Sequence, residues 1–159
     1  MLERAVHDDC WAVVMLAFHM MNQNARRQVF PLTRKTGTGT LLMFVVRRIF
    51  SDPDYLASTM AQLAESGRAP SEFGDTDQPL SFLLHDRGAT SVIDAAYRFA
   101  RHEPGADVVL FGTDSAEHLQ RNVQSILKPP LPHADVDTLY RLFGALEGVG
   151  LELPPRRPE

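Results

Sequence analysis

Cysteine is almost missing: Cys10 is the only one in 159 residues, which rules out an internal disulfide and any multi-cysteine zinc site. A lone thiol is most simply a small hydrophobe, so Cys10 is expected in the core. Lysine is scarce as well, and neither Lys35 nor Lys128 falls at the end of an apolar run. No excess of positive charge exists, since 16 basic residues face 20 acidic ones and the net charge is -4. The basic doublets Arg26-Arg27, Arg47-Arg48 and Arg156-Arg157 are scattered, so no nucleic-acid footprint forms. The apolar runs at 11–18 and 41–46 fall far short of the ~18 residues that span a membrane. Residues 1–9 lack the basic start and apolar middle of a signal peptide, and we expect a cytoplasmic protein. The histidines at 7, 19, 85, 102, 118 and 133 show no i, i+4 pair of metal-ligand type, and we assign no metal. A Gly-x-Ser-x-Gly elbow is absent too, which removes the usual scaffold of Ser-His-Asp hydrolysis.

What is present is alternation. Residues 12–18, 40–46 and 107–111 are nearly continuous in apolar side chains, as strands covered on both faces are. Each is followed by helical sequence. Residues 25–36 form the first such segment, interrupted by Pro31, and residues 53–66 the second, with Leu56, Met60 and Leu63 at helical spacing. Gly37 and Gly67 are placed to end them. A third helix over 91–102 opens with a Ser-x-x-Asp cap and stops at Pro104-Gly105. Residues 116–127 bring Leu119, Val123, Ile126 and Leu127 to one face, and 135–146 do the same with Val136, Leu139, Tyr140 and Phe143. Both faces are expected to pack on the sheet. The order implies an α/β fold with a parallel sheet and right-handed crossovers. Residues 69–79 read as a surface loop and the proline-rich 151–159 as a flexible tail after a domain over 1–150.

The richest stretch for chemistry runs from Asp107 to Asn122, where an apolar run breaks at Gly112 and restarts as a helix capped by Asp114 or Ser115. Such a turn aims backbone N–H groups and the positive helix end at one point, which suits a phosphate; it is equally a well-made strand-to-helix connection. His19, just after the first run, lies where parallel α/β proteins hold ligands. Tyr55, Tyr97 and Tyr140 all fall on helical segments. The chain thus offers a place to bind and no evident group for proton transfer.

These stretches together resemble the aldo/keto reductases. Residues 96–122, with Phe-Gly-Thr-Asp-Ser at 111–115 and His-Leu-x-x-Asn ending at Asn122, are similar to that family's penultimate barrel helix, last strand and cofactor-phosphate loop. Residues 13–23 resemble the sixth strand, residues 29–44 the next helix and the seventh strand, and residues 128–143 the closing helix. The resemblance implies the last three βα units of a (β/α)8 TIM barrel, about residues 1–150, where a whole barrel needs ~250 residues. It implies NADP(H) as cofactor, with NAD(H) as the alternative, and carbonyl reduction by hydride transfer. Gly112, Thr113, Asp114, Ser115, His118 and Asn122 match the residues that hold the adenosine phosphate, while Phe18 and His19 lie at the nicotinamide rim. Met15 stands in place of a Gln that holds the carboxamide, and Met43-Phe44 in place of the aromatic-Ser pair under the nicotinamide ring, leaving Phe44 as a substitute contact. The family's Asp, Tyr, Lys and His tetrad comes from the first half of the barrel, and no residue here matches it. No catalytic residue is therefore assigned, and the chain alone is expected to be inactive. A small carbonyl substrate becomes relevant only with an N-terminal half-barrel partner. The rival expectation is a non-catalytic nucleotide-binding or protein-interaction module that forms a homo-oligomer through open sheet edges.

Overall fold

A computed structural model describes residues 2–8 and 10–151. Among them lies a three-stranded parallel sheet of β1 (Val13–Ala17), β2 (Gly39–Met43) and β3 (Val108–Val109), in that spatial order. The α/β class and the parallel order agree with the alternation in the sequence. Helix α1 (Leu2–His7) precedes β1. Pro31 splits the first crossover into α2 (Ala25–Gln28) and α3 (Phe30–Thr36), because its ring suits a helix's first turn and not an interior. Gly37 then closes α3 in the left-handed conformation, φ 74°.

The second crossover is longer. It comprises α4 (Arg48–Ser51), α5 (Pro53–Glu65) capped by Asp52, two short 3-10 turns, and α6 (Val92–Arg101). The Ser91 side chain caps α6 by accepting from the Asp94 amide, as its cap pattern predicts. After β3 come α7 (Ala116–Leu127) and α8 (His133–Phe143). The first 3-10 turn, Ser71–Gly74, lies inside the expected surface loop and tucks Phe73 against Phe143 of α8.

The register sets Met15 beside Leu41 and Val108, and Leu16 beside Leu42 and Val109. Alternation along each strand makes these two opposite faces. Val14, Leu16, Thr40 and Leu42 are buried under the helices, with Phe18 edge-on to Phe30 and stacked on Phe99. On the other face Val13, Met15 and Val108 are 49%, 47% and 44% exposed. Cover on both faces, expected from the apolar runs, is therefore corrected: among the described residues only one face is covered.

Two further expectations fail. Helix α7 contacts α6, but Leu119, Val123 and Leu127 point outward at 47%, 40% and 77% exposure instead of packing on the sheet. Cys10 is exposed, because it lies on the surface approach to β1. The tail from residue 152 onward lies outside the described residues.

Candidate functional site

In a parallel sheet all strands end on the same side, so the C-terminal ends of β1, β2 and β3 form one rim. Phe18, His19, Phe44 and the turn residues 112–115 lie at that rim, and His118 and Asn122 lie on the helix leaving it, whereas Met15 sits mid-strand in β1. The third strand is extended by Leu110, whose amide donates to the Leu42 carbonyl at 2.9 Å, and Phe111 packs edge-on against Tyr97 of α6. Residues 112–114 are exposed. The Ser115 amide donates to Thr113 Oγ1 at 3.1 Å, and Ser115 Oγ accepts from the His118 amide at 3.3 Å. Ser115 is thus the cap, and Asp114 is left pointing to solvent. Glu117 pairs forward with Arg121 and does not reach back to the turn.

This arrangement leaves the amides of Ala116 and Glu117 without an intrahelical acceptor at the positive end of a twelve-residue helix. A β-carbon at Gly112 would meet nothing within 4 Å, so the space beside the turn is open. His118 and Asn122 follow one helical turn apart on α7, the first exposed and the second half-buried.

The ends of β1 and β2 are built differently. Phe18 and His19 have no exposed surface. The His19 ring meets Phe50 edge-on at 5.3 Å, and its Nδ1 accepts from the Met21 amide at 3.2 Å. That bond places the remaining proton on Nε2, which is buried and makes no well-formed hydrogen bond, with only the Val149 backbone near enough to favour its proton. Burial first, and the Arg47 charge second, lower the His19 pKa from 6.5 to about 3, against a smaller opposing effect of the Val149 backbone. A β-carbon at Gly150 would lie 2.9 Å from Ile49 and 3.3 Å from the His19 ring, and φ is 69° there, so only glycine closes this corner.

Phe44 is half-buried at the end of β2, and it alone among described non-glycine residues has positive φ, 65°. The Arg47 guanidinium lies 4.3 Å over its ring. The rim therefore has an open part, the β3–α7 turn, a strained aromatic at its centre, and a closed part at His19.

Two polar clusters escaped the sequence reading. Buried Glu103 accepts from Arg26 Nε at 2.8 Å and from the Tyr140 hydroxyl at 3.0 Å, with the Arg26 guanidinium 3.2 Å from the Tyr140 ring centre. Burial, then Glu103, pushes Tyr140 up to about 12, and burial does the same for Tyr97. Both phenols stay protonated at neutral pH. The second cluster joins Asp94 and Arg98 of α6 to Lys128. Partners 77 and 34 residues apart leave no spacing signal in a single sequence.

Residues 2–142 match the model of the aldo/keto reductase family. The fold is similar to an aldo-keto reductase from Bacillus halodurans, in its holo form at 14% identity and TM-score 0.59, over 94% of this chain and 49% of that one. The apo form of that protein is similar at 13% identity and TM-score 0.59, over 94% of this chain and 50% of that one. The chain thus spans about half the length of the solved structures it matches. No curated protein sequence matches it.

Proposed function

The chain belongs to the aldo/keto reductase family, and from that premise we propose that it is the C-terminal half-barrel of an NAD(P)H-dependent carbonyl reductase. Residues 1–150 are one such unit. Its three strands are the last three of eight, so five further βα units lie between the free edges of β3 and β1. The bare sheet face of Val13, Met15, Leu41, Met43 and Val108 is the lumen side of that barrel, and its exposed apolar side chains are the observation that carries the reading.

In this reading the β3–α7 turn holds the adenosine phosphate. The amides of Ala116 and Glu117, the Ser115 cap, the open space at Gly112 and the Asn122 side chain fit an anion followed by a nucleoside. His118, exposed at the third position of α7, is the side chain this reading assigns to a 2′-phosphate, with NADP(H) as the first cofactor and NAD(H) as the alternative. Phe44 is the aromatic under the nicotinamide ring, and Phe18 and His19 stiffen the rim behind it. The cofactor supplies a hydride to the carbonyl carbon; the proton for the carbonyl oxygen comes from the Asp, Tyr, Lys and His of the other βα units. General acid catalysis contributes roughly 10²–10⁴-fold, so the 159-residue chain by itself reduces no carbonyl. We place the protein in the cytoplasm; among the described residues no helix is long and apolar enough to cross a membrane.

The test is a fluorescence titration with NADPH beside an aldehyde-reduction assay on the purified chain. Saturable binding that Ser115→Ala and Asn122→Ala weaken, with no turnover, is the expected result. Turnover by the chain alone overturns the missing tetrad, and absence of binding overturns the cofactor turn. The second reading, a non-catalytic module that self-associates, is favoured by the outward Leu119, Val123 and Leu127. It predicts a monodisperse, cooperatively melting oligomer in sedimentation.

A further inference from the structure

Helix α7 carries most of the proposed phosphate site, yet little apolar contact holds it. Leu119, Val123 and Leu127 face solvent, Ser125 is its one buried residue, and Ile126 alone of its large apolar side chains packs partly against the core. At its start the capping bonds stay within residues 113–118. Its C-terminal end is fastened quite differently. The Lys128 ammonium lies 3.0 Å from the Asp94 carboxylate and donates to Thr90 Oγ1 at 3.1 Å. The Lys128 carbonyl is 2.9 Å from His102 Nε2. Arg98 donates from Nε to the Pro129 carbonyl at 2.8 Å, from Nη2 to Pro130 at 3.0 Å and from Nη1 to Gly88 at 2.8 Å.

Both Asp94 and Arg98 are buried on α6, 3.6 Å apart. Burial works against the Asp94 charge, but the Thr90 amide, Lys128 and Ser125 together outweigh it and hold the carboxyl below its usual range. All three nitrogens of the Arg98 fork are engaged with fixed backbone oxygens, a geometry that a lysine could not reproduce. Pro129, Pro130 and Pro132 stiffen the chain just beyond.

We propose that Asp94, Arg98 and Lys128 form a charged latch that sets the direction of α7 from its C-terminal end and so positions the amides of the β3–α7 turn. The functional half of this rests on the cofactor reading above. The lever is long: twelve residues make a rod of about 18 Å, and a tilt of about 10° at the latch displaces the first turn by about 3 Å. A displacement of that size exceeds the tolerance of a hydrogen bond to a phosphate. These three are positioning residues, acting through the helix on groups at its far end.

The experiment uses the full chain, hydrogen exchange resolved by residue, and adenosine 2′,5′-bisphosphate as the probe. Lys128→Met keeps the aliphatic stem of a side chain that is 36% exposed and leaves Asp94 its Thr90 and Arg98 partners, and Lys128→Arg restores a cation. In Lys128→Met the His118 and Leu119 amides are expected to exchange about tenfold faster, while residues 95–100 of α6 keep their protection. The probe's Kd rises about fivefold, the loss of roughly one hydrogen bond, and Lys128→Arg recovers both. A merely local role would loosen only the amides beside Lys128. Unchanged protection at His118 and Leu119 overturns the latch, whatever happens to the melting temperature. If the exchange responds but the wild-type chain does not bind the probe, the latch stands and the cofactor reading fails.

Discussion

Helices α6 and α7 lie side by side, each begins at a serine cap, and each repeats apolar residues at helical spacing. In α6 every residue from 94 to 100 is buried; in α7 only Ser125 is. The two differ in what surrounds them. Helix α6 has the sheet on one side, α4 and the second 3-10 turn on another, and Tyr140 of α8 against its Phe99. Helix α7 has α6 on one side and solvent where Leu119, Val123 and Leu127 point. Apolar periodicity reports which face demands cover, and says nothing about whether the same stretch of chain supplies it. The bare side of the sheet repeats this lesson with Met15 and Val108.

The comparison breaks most visibly under truncation of aromatic packing. Phe99→Ala on α6 removes a ring stacked on Phe18 at 5.6 Å and touching Tyr140, and about 3–5 kcal/mol of unfolding free energy should go with it in urea titration. A loss under about 1 kcal/mol would mean that the α6 side is looser than drawn.

Acid sharpens the contrast next, through His19 on the closed side. The unfolded chain binds a proton below the ordinary value of 6.5, whereas the folded chain resists until about 3. The folded state therefore binds fewer protons between those values, and stability falls as pH drops through this window, by up to about 1.4 kcal/mol per pH unit from this group. Above pH 6.5 both states are neutral and His19 contributes no slope. His19→Leu should flatten the acid limb in chemical denaturation measured across pH 4–7; an unaltered limb would show that His19 is not closed in.

The caps come third. Ser91→Ala and Ser115→Ala each delete one bond to a helix amide, at 3.1 and 3.3 Å, and each should lower stability by about 1 kcal/mol. Exchange data should place the first loss in the α6 core and confine the second to the start of α7, and a global effect from both would erase the distinction between the helices. The smallest effect belongs to the outward stripe. Leu119→Ser and Leu127→Ser should shift stability by less than about 0.5 kcal/mol each, while reducing any self-association seen in sedimentation.

The alternation of elements was legible because strands, caps and stops are local. Ser91, Gly37 and Pro31 each act within one turn of chain, and the structure uses all three as the sequence implies. The turn at Gly112 was legible for the same reason, although Ser115 and not Asp114 turns out to be the cap. What could not be read was cover: a two-sided apolar strand looks the same whether its second face meets helices or the lumen of a barrel. Cys10 follows suit, since a residue just outside β1 is buried or exposed according to what lies beyond that edge. The Asp94–Arg98–Lys128 and Arg26–Glu103–Tyr140 clusters were invisible because charged residues on helices ordinarily read as solvated faces.

The methionines offer the most direct test of the one-sided architecture. Met15 lies on the bare face at 47% exposure, whereas Met20, Met21 and Met60 have none. Dilute peroxide, applied where the chain sediments as a single copy and read by peptide mass spectrometry, should convert Met15 to its sulfoxide well before those three. Protection of Met15 equal to that of Met60 would mean that this chain covers its own sheet, and the half-barrel account would be wrong.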